Sequence, residues 1–203
     1  MDKPSNLTVI RNRIKKAQPG TVYVAVDFVT ISDKTNINAY LAVLAEQGVL
    51  HRVLRGVYYK PSYNELLKEY VAPDTDKVAQ AIARNYGWTI VPSGDTALNM
   101  LGLSTQVPAV FIYASDGAYK EYEVNNTPIQ FKRTTNRDLA NLTYKTALVV
   151  QALKALGKEH IDNTVISQLQ RILTTEEKSK MLAEAKTVTA WIYDCIKQIC
   201  IEC

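Results

Sequence analysis

The stretch DKTNINAYLAVLAEQGVLHRVLRGVYYK, residues 33–60, decides how this chain folds. Ile37, Leu41 and Leu44 recur at spacings of four and three, which puts them on one face of a helix. Thr35 stands where an N-cap belongs, and Gly48 lies just past the last periodic residue, where a left-handed terminator is needed. Residues 49–54 and 57–60 are rich in β-branched and aromatic side chains. They flank Arg55-Gly56, a two-residue connection in which glycine supplies the permissive backbone of a hairpin.

Upstream, Leu7, Ile10, Ile14 and Ala17 mark an amphipathic helix behind a Ser5 or Asn6 cap, with Arg11, Arg13, Lys15 and Lys16 on its polar face. Pro19-Gly20 stops it; residues 21–24 form a short extended piece, and a brief second helix is predicted over 27–31. Helix, extended piece, helix, helix, hairpin is the order of a winged helix-turn-helix. In that arrangement Thr35, Asn36, Asn38, Ala39 and Tyr40 lie on the part of the third helix that enters a major groove. Asparagine amides match adenine edges, and Thr35 with the free backbone amides of the helix start suits phosphate. The wing carries His51, Arg52, Arg55 and Lys60 toward phosphates or the adjacent minor groove, and Lys15 and Lys16 approach the DNA backbone more distantly. The plainer alternative is a solvated polar surface with Tyr40 packed on the second helix, or a winged helix that docks protein.

Charge supports the nucleic-acid reading. Residues 1–60 hold nine Lys/Arg against four acids, a net +5, while the remaining 143 hold 15 against 16, a net −1. All the excess of a +4 chain therefore belongs to its first third, as for a polyanion-facing module joined to a near-neutral one.

Downstream, residues 63–70 are predicted as a short helix, and Ala72-Pro73-Asp74 as a boundary between a DNA-binding domain of residues 1–72 and a second domain of 73–203. Within the second, helix over 76–86, strand over 88–91, helix over 94–101, and strands over 109–114, 119–124 and 129–133 make a small α/β part, residues 73–136. Helices over 139–156, 163–172, 175–185 and 188–201 make a helical part, residues 137–203. The expected fold class is α+β.

The composition, 47% apolar and 22% charged, is that of an ordinary globular protein. The longest apolar run, residues 107–114, is eight residues and contains Pro108, far short of the about twenty that cross a bilayer by helix. With no apolar leader after Met1, a cytoplasmic product is expected. Cys195, Cys200 and Cys203 crowd the carboxyl end, an odd number that suits reduced thiols, and Cys200-x-x-Cys203 lacks the further ligands of a zinc site. His51 and His160 show no pairing with a nucleophile, and no phosphate-binding Gly-rich loop occurs. No catalytic residue, metal or cofactor is expected. An enzymatic alternative is a metal-dependent nuclease built on Asp116, Gln130 and Lys132 from neighbouring strands. Lys132, Arg133 and Arg137 form a second basic cluster that faces nucleic acid, an acidic partner or solvent.

Three segments also carry a family resemblance: Arg11-x-Arg13-Ile14-x-x-Ala17-x-Pro19-Gly20-Thr21-Val22, Gly48-Val49-Leu50-x-Arg52-Val53-x-Arg55-Gly56-Val57-Tyr58, and PSGDTALNMLGLSTQVP at 92–108. They resemble the AbiEi-like antitoxins of type IV toxin–antitoxin systems and a related bacterial family of uncharacterised proteins, over nearly the whole chain. The resemblance implies an N-terminal winged helix that binds double-stranded DNA at the promoter of its own operon, where two inverted half-sites would imply a homodimer on DNA. It further implies a C-terminal unit opposing a nucleotidyltransferase-like toxin without a required direct contact. The family's recognition elements map onto the helix from Thr35 and the wing around Arg52 and Arg55, with Asn36 and Asn38 standing where many relatives are more charged.

Overall fold

The computed structural model describes residues 5–134, 139 and 141–201, a mixed α and β chain in two compact units, Met1–Trp88 and Thr89–Cys203. The first unit begins with α1, Asn6–Lys16, capped by the Ser5 hydroxyl, which accepts from the Thr8 amide at 3.3 Å. Its apolar edge, Ile10 and Ile14, is fully buried. After Gly20, at φ 79°, the chain runs through β1, Val22–Tyr23, into a 3-10 turn at Ala25–Phe28. The expected second helix is thus shorter and earlier than residues 27–31. Asp27 fixes the turn, its carboxylate accepting from the Val24 amide at 2.9 Å and pairing with Arg84 at 3.1 Å.

Helix α2, Lys34–Glu46, buries Ile37, Leu41 and Leu44 against Phe28, Tyr23, Leu50 and the α1 isoleucines. Each fully buried leucine or isoleucine contributes roughly 1.5–3 kcal/mol. Gly48 has φ 70° and carries the chain from the helix end toward β2, His51–Leu54, and β3, Val57–Tyr59. The expected Arg55-Gly56 connection is present, with Gly56 at φ 79° and Leu54 opposite Val57. Strand β3 is the centre of a three-stranded antiparallel sheet in the order β1-β3-β2, with Val22 opposite Tyr59 and Tyr23 opposite Tyr58.

Residues 63–70, expected as a helix, form a second hairpin of β4, Ser62–Asn64, and β5, Glu69–Val71. Cross-strand pairing of Tyr63 with Tyr70 outweighs the weak helical periodicity of that stretch, and Lys68 adopts φ 54° at the turn. Helix α3, Thr75–Tyr86, follows an Asp74 cap and stops at Gly87, φ 71°. The first unit therefore continues to Trp88, past the boundary expected at Ala72-Pro73.

The second unit carries a four-stranded sheet of β6, Ile90–Pro92, β7, Phe111–Ser115, β8, Lys120–Val124, and β9, Thr127–Arg133, in the order β6-β7-β9-β8. Strands β7 and β9 are parallel and the other pairs antiparallel. Asn125 and Asn126 turn between β8 and β9 at φ 49° and 62°, the left-handed pair that a tight two-residue hairpin requires. Helix α4, Asp95–Met100, packs on the sheet, and α5, Tyr144–Leu156, lies at the centre of the unit against α4, β6 and two later helices. Eight consecutive residues of α5, Thr146 to Leu153, are buried, which is the burial pattern of a helix enclosed on all sides. The helix was expected from residue 139; it starts at Tyr144, because Asn141 sits at φ 66° and Thr143 is the N-cap. Helices α6, Asn163–Ile172, α7, Thr175–Glu184, and α8, Ala190–Cys200, complete the unit. Helix α7 opens on a reciprocal capping box of Thr174 and Glu177. Among the described residues no helix is long and apolar enough to cross a membrane.

Candidate nucleic-acid interface

A groove of about 570 Å³ lies along α2 and the β2–β3 hairpin. Its lining brings together Lys34, Asn38 and Ala42 from α2 with Arg52, Arg55 and Tyr58 from the hairpin, and Asn85 from α3. Three of these residues are cationic and none is acidic, so the lining carries net positive charge. A shallower depression continues from it through Ala42, Arg52 and Tyr58 to His51, and there Glu46 introduces an acid. The side chains of this site are held by the core elements that carry them. Ile37, Leu41 and Leu44 are anchored in the core, which leaves Asn38 exposed on the flank of α2, and Arg52 stands opposite Tyr58 across the β2–β3 ladder, so both side chains lie on the sheet face that borders the groove.

Of the expected contact residues, Asn38, Arg52 and Arg55 meet in this groove. Thr35 and Ala39 are exposed on the same amino-terminal half of α2. Arg52 is steadied by its Nε donating to the Leu54 carbonyl at 3.3 Å, which leaves the rest of its guanidinium fork toward the groove.

Other expected contacts have different work. The N-cap of α2 is Asp33, not Thr35: its carboxylate accepts from the Asn36 amide at 3.0 Å, and the Asn36 side-chain amide donates to the same group. Asn36 is therefore spent on the helix start, and one of the amides expected to be free for phosphate already has an anion on it. The backbone amide of Asn36, with help from its side chain, holds the Asp33 carboxyl below its ordinary value. Lys60 is also committed. Its ammonium donates to the carbonyls of Lys15 and Ala17, both at 2.7 Å, and so closes the negative end of α1. Lys15 and Lys16 are exposed beside that closure, at the end of β3 remote from the Arg55-Gly56 turn, and do not line the groove. Tyr40 is half-buried against the N-terminal core. His51 is half-buried, with its ring edge-on to Tyr59 at 5.7 Å and to Tyr70 at 4.3 Å.

Lys34 and Asn85 are groove residues that sequence reasoning missed. Lys34 follows from a better placed cap: with Asp33 recognised as the N-cap, Lys34 becomes the first helical residue on the open side. Asn85 had no local signal, since it comes from a helix assigned to the other domain.

In the second unit, the Asp116 carboxylate accepts from the Thr89 amide at 2.9 Å and ties the end of β7 to the start of β6. Gln130 and Lys132 lie on β9 opposite Ile112 and Ala114. Lys132 and Arg133 are exposed at the end of β9, and Arg137 lies outside the described residues. Among the described residues no group of three or more His, Cys, Asp or Glu side chains is placed to hold a metal ion. Cys200 is buried, its thiol donating to the Lys178 carbonyl at 3.5 Å, and burial pushes both the Cys195 and Cys200 thiols up from their ordinary value. Cys203 lies outside the described residues.

No curated protein matches the chain in sequence. Residues 9–181 match the model of DUF6088, a family of unknown function, and the chain belongs to that family.

Proposed function

We propose that the first unit is a winged helix-turn-helix that binds double-stranded DNA at the promoter of its own operon. We further propose that the chain serves in the cytosol as repressor and antitoxin of a type IV toxin–antitoxin pair, opposing a nucleotidyltransferase-like toxin. The observation that carries the DNA reading is the acid-free groove in which Lys34, Arg52 and Arg55 flank Asn38. In this reading α2 enters the major groove by its exposed amino-terminal half and the β2–β3 hairpin follows the adjoining backbone. Lys34, Arg52 and Arg55 bind phosphates, which sets register without reading sequence. Asn38 supplies the paired donor and acceptor that matches an adenine edge. Occupancy of the promoter then blocks transcription. The antitoxin half of the proposal rests on the resemblance carried by residues 92–108 and the two N-terminal segments.

Gel-shift titrations against DNA from upstream of the chain's own operon, beside a scrambled duplex, test the reading. Three phosphate contacts predict a slope of log affinity on log salt of about −3, and loss of one bidentate base contact in Asn38→Ala is expected to cut the preference for the native duplex roughly tenfold. Asn36→Ala leaves that preference in place, because Asn36 is bonded to Asp33. Binding that is absent, or indifferent to salt, refutes the proposal.

A further inference from the structure

The β4–β5 hairpin ends in Glu65-Leu66-Leu67-Lys68, and its two leucines are the least covered of its apolar side chains, with Leu66 89% and Leu67 62% exposed. Tyr63, Tyr70 and Val71 on the same hairpin are also exposed. The tip is shaped, not frayed. The Asn64 side-chain oxygen accepts from the Leu66 amide at 3.0 Å and the Leu67 amide at 3.1 Å, and Tyr63 packs edge-on to Tyr70 with centroids 5.2 Å apart. Tyr70 in turn packs on His51 of β2, which anchors the hairpin by its base. A two-stranded hairpin is marginal in water, and a fixed apolar tip rimmed by charge is the composition of a contact surface.

We infer that a second copy of this chain docks on this tip, head to head about a two-fold axis passing between Leu66 and Leu67. The order acid, leucine, leucine, base is self-complementary when inverted against itself. Glu65 then faces Lys68 of the second copy, Lys68 faces its Glu65, and the leucines close over one another at the centre. That is the requirement of an isologous interface, in which one patch must match itself. Glu65 and Glu69 beside the leucines repel phosphate, which sets the tip apart from the cationic groove and makes this inference independent of DNA binding. The patch is small beside the about 1,200–2,000 Å² of stable interfaces, so the association is weak and depends on concentration.

Sedimentation equilibrium on the full chain tests it. The average mass is expected to rise from 22.7 kDa toward twice that value as the protein is concentrated to about 500 µM, in the range of weak complexes. Leu66→Asp with Leu67→Asp abolishes the rise. Lys68→Glu alone sets acid against acid and raises the dissociation constant about tenfold, while Glu65→Lys with Lys68→Glu in one chain restores it. Mixing the Glu65→Lys chain with the Lys68→Glu chain gives heterodimers in preference to either homodimer. All the substituted side chains are at the exposed turn, and circular dichroism and melting confirm that each variant is folded. A wild type that stays at one chain's mass overturns the inference. So does unchanged association of the double aspartate variant, or a double charge swap that associates as poorly as Lys68→Glu. A monomeric wild type whose tip variants lose DNA affinity also overturns it and gives the tip to DNA.

Discussion

The positive charge of the first sixty residues collects in two places, and the folded chain treats them differently. Along α1 and the far end of β3 the cations are largely spent inside the unit. Arg11 donates to Gln47, Arg13 donates to the Asp27 carbonyl and lies over the Phe28 ring, and Lys60 holds the last carbonyls of α1. Along α2 and the β2–β3 turn, Lys34, Arg52 and Arg55 line an open groove with no acid among them. The lesson is that a count of lysines and arginines finds a basic module, but hydrogen-bond accounting separates cations that hold the protein from cations left for a ligand.

The strongest test substitutes the groove arginines in parallel with Lys15 and Lys16, exposed cations at the other end of the sheet that do not line the groove. Arg52→Ala with Arg55→Ala removes two of the proposed phosphate contacts. It is expected to flatten the salt slope by about two and to weaken binding to native and scrambled duplex alike by roughly ten- to a hundredfold near 0.1 M salt. Lys15→Ala with Lys16→Ala removes the same nominal charge from the other end of the sheet and is expected to change affinity by no more than about threefold, through long-range attraction alone. Filter binding at several salt concentrations reads both effects. Equal losses in the two double variants abolish the distinction drawn between the clusters.

Local chemistry and distant partners divide what was legible in the sequence from what was not. Elements set by local chemistry were readable: the Arg55-Gly56 turn and the helix stop at Gly48, where both glycines have positive φ. The face of α2 was readable because Ile37, Leu41 and Leu44 repeat at helical spacing and are all fully buried. Elements set by partners distant in sequence were not. The β4–β5 hairpin depends on Tyr63 meeting Tyr70 and on Tyr70 reaching His51, neither of which the local pattern declares. Asn38, Arg52 and Arg55, expected from topology on one surface, line one groove. Asn36 and Lys60 were assigned to DNA although their polar atoms are bonded within the chain, and only coordinates reveal such bonds.

Lys60 supplies the next test, with an effect on stability where the arginines affect binding. Lys60→Met keeps most of the aliphatic stem and removes the donor from the carbonyls of Lys15 and Ala17. Loss of these charge-assisted bonds at a solvent-accessible helix end is expected to cost about 0.5–1.5 kcal/mol, measured by urea unfolding, with DNA affinity unchanged within about twofold. A variant of wild-type stability that binds DNA tenfold more weakly returns Lys60 to the interface.

The smallest effect is expected at Asp33, where the two kinds of role meet in one residue. Its carboxylate caps α2, yet it stands at the amino-terminal end of the helix proposed to enter the DNA. Asn36 holds the carboxyl below its ordinary value of 3.8, so the folded state favours the ionised form. This stabilisation is fully present above the unfolded value and is lost as pH falls through the lowered folded value, so it is constant at neutral pH and disappears only in acid. Asparagine caps a helix about as well as aspartate and carries no charge. Asp33→Asn is therefore expected to leave stability at pH 7 unchanged, to flatten the acid limb of the pH–stability curve, and to tighten DNA binding about two- to fivefold by removing one repulsion near a phosphate. If α2 does not face DNA, the acid limb still flattens while affinity stays where it was. One substitution thus separates the cap, a property of the fold, from the approach of a polyanion to that helix end.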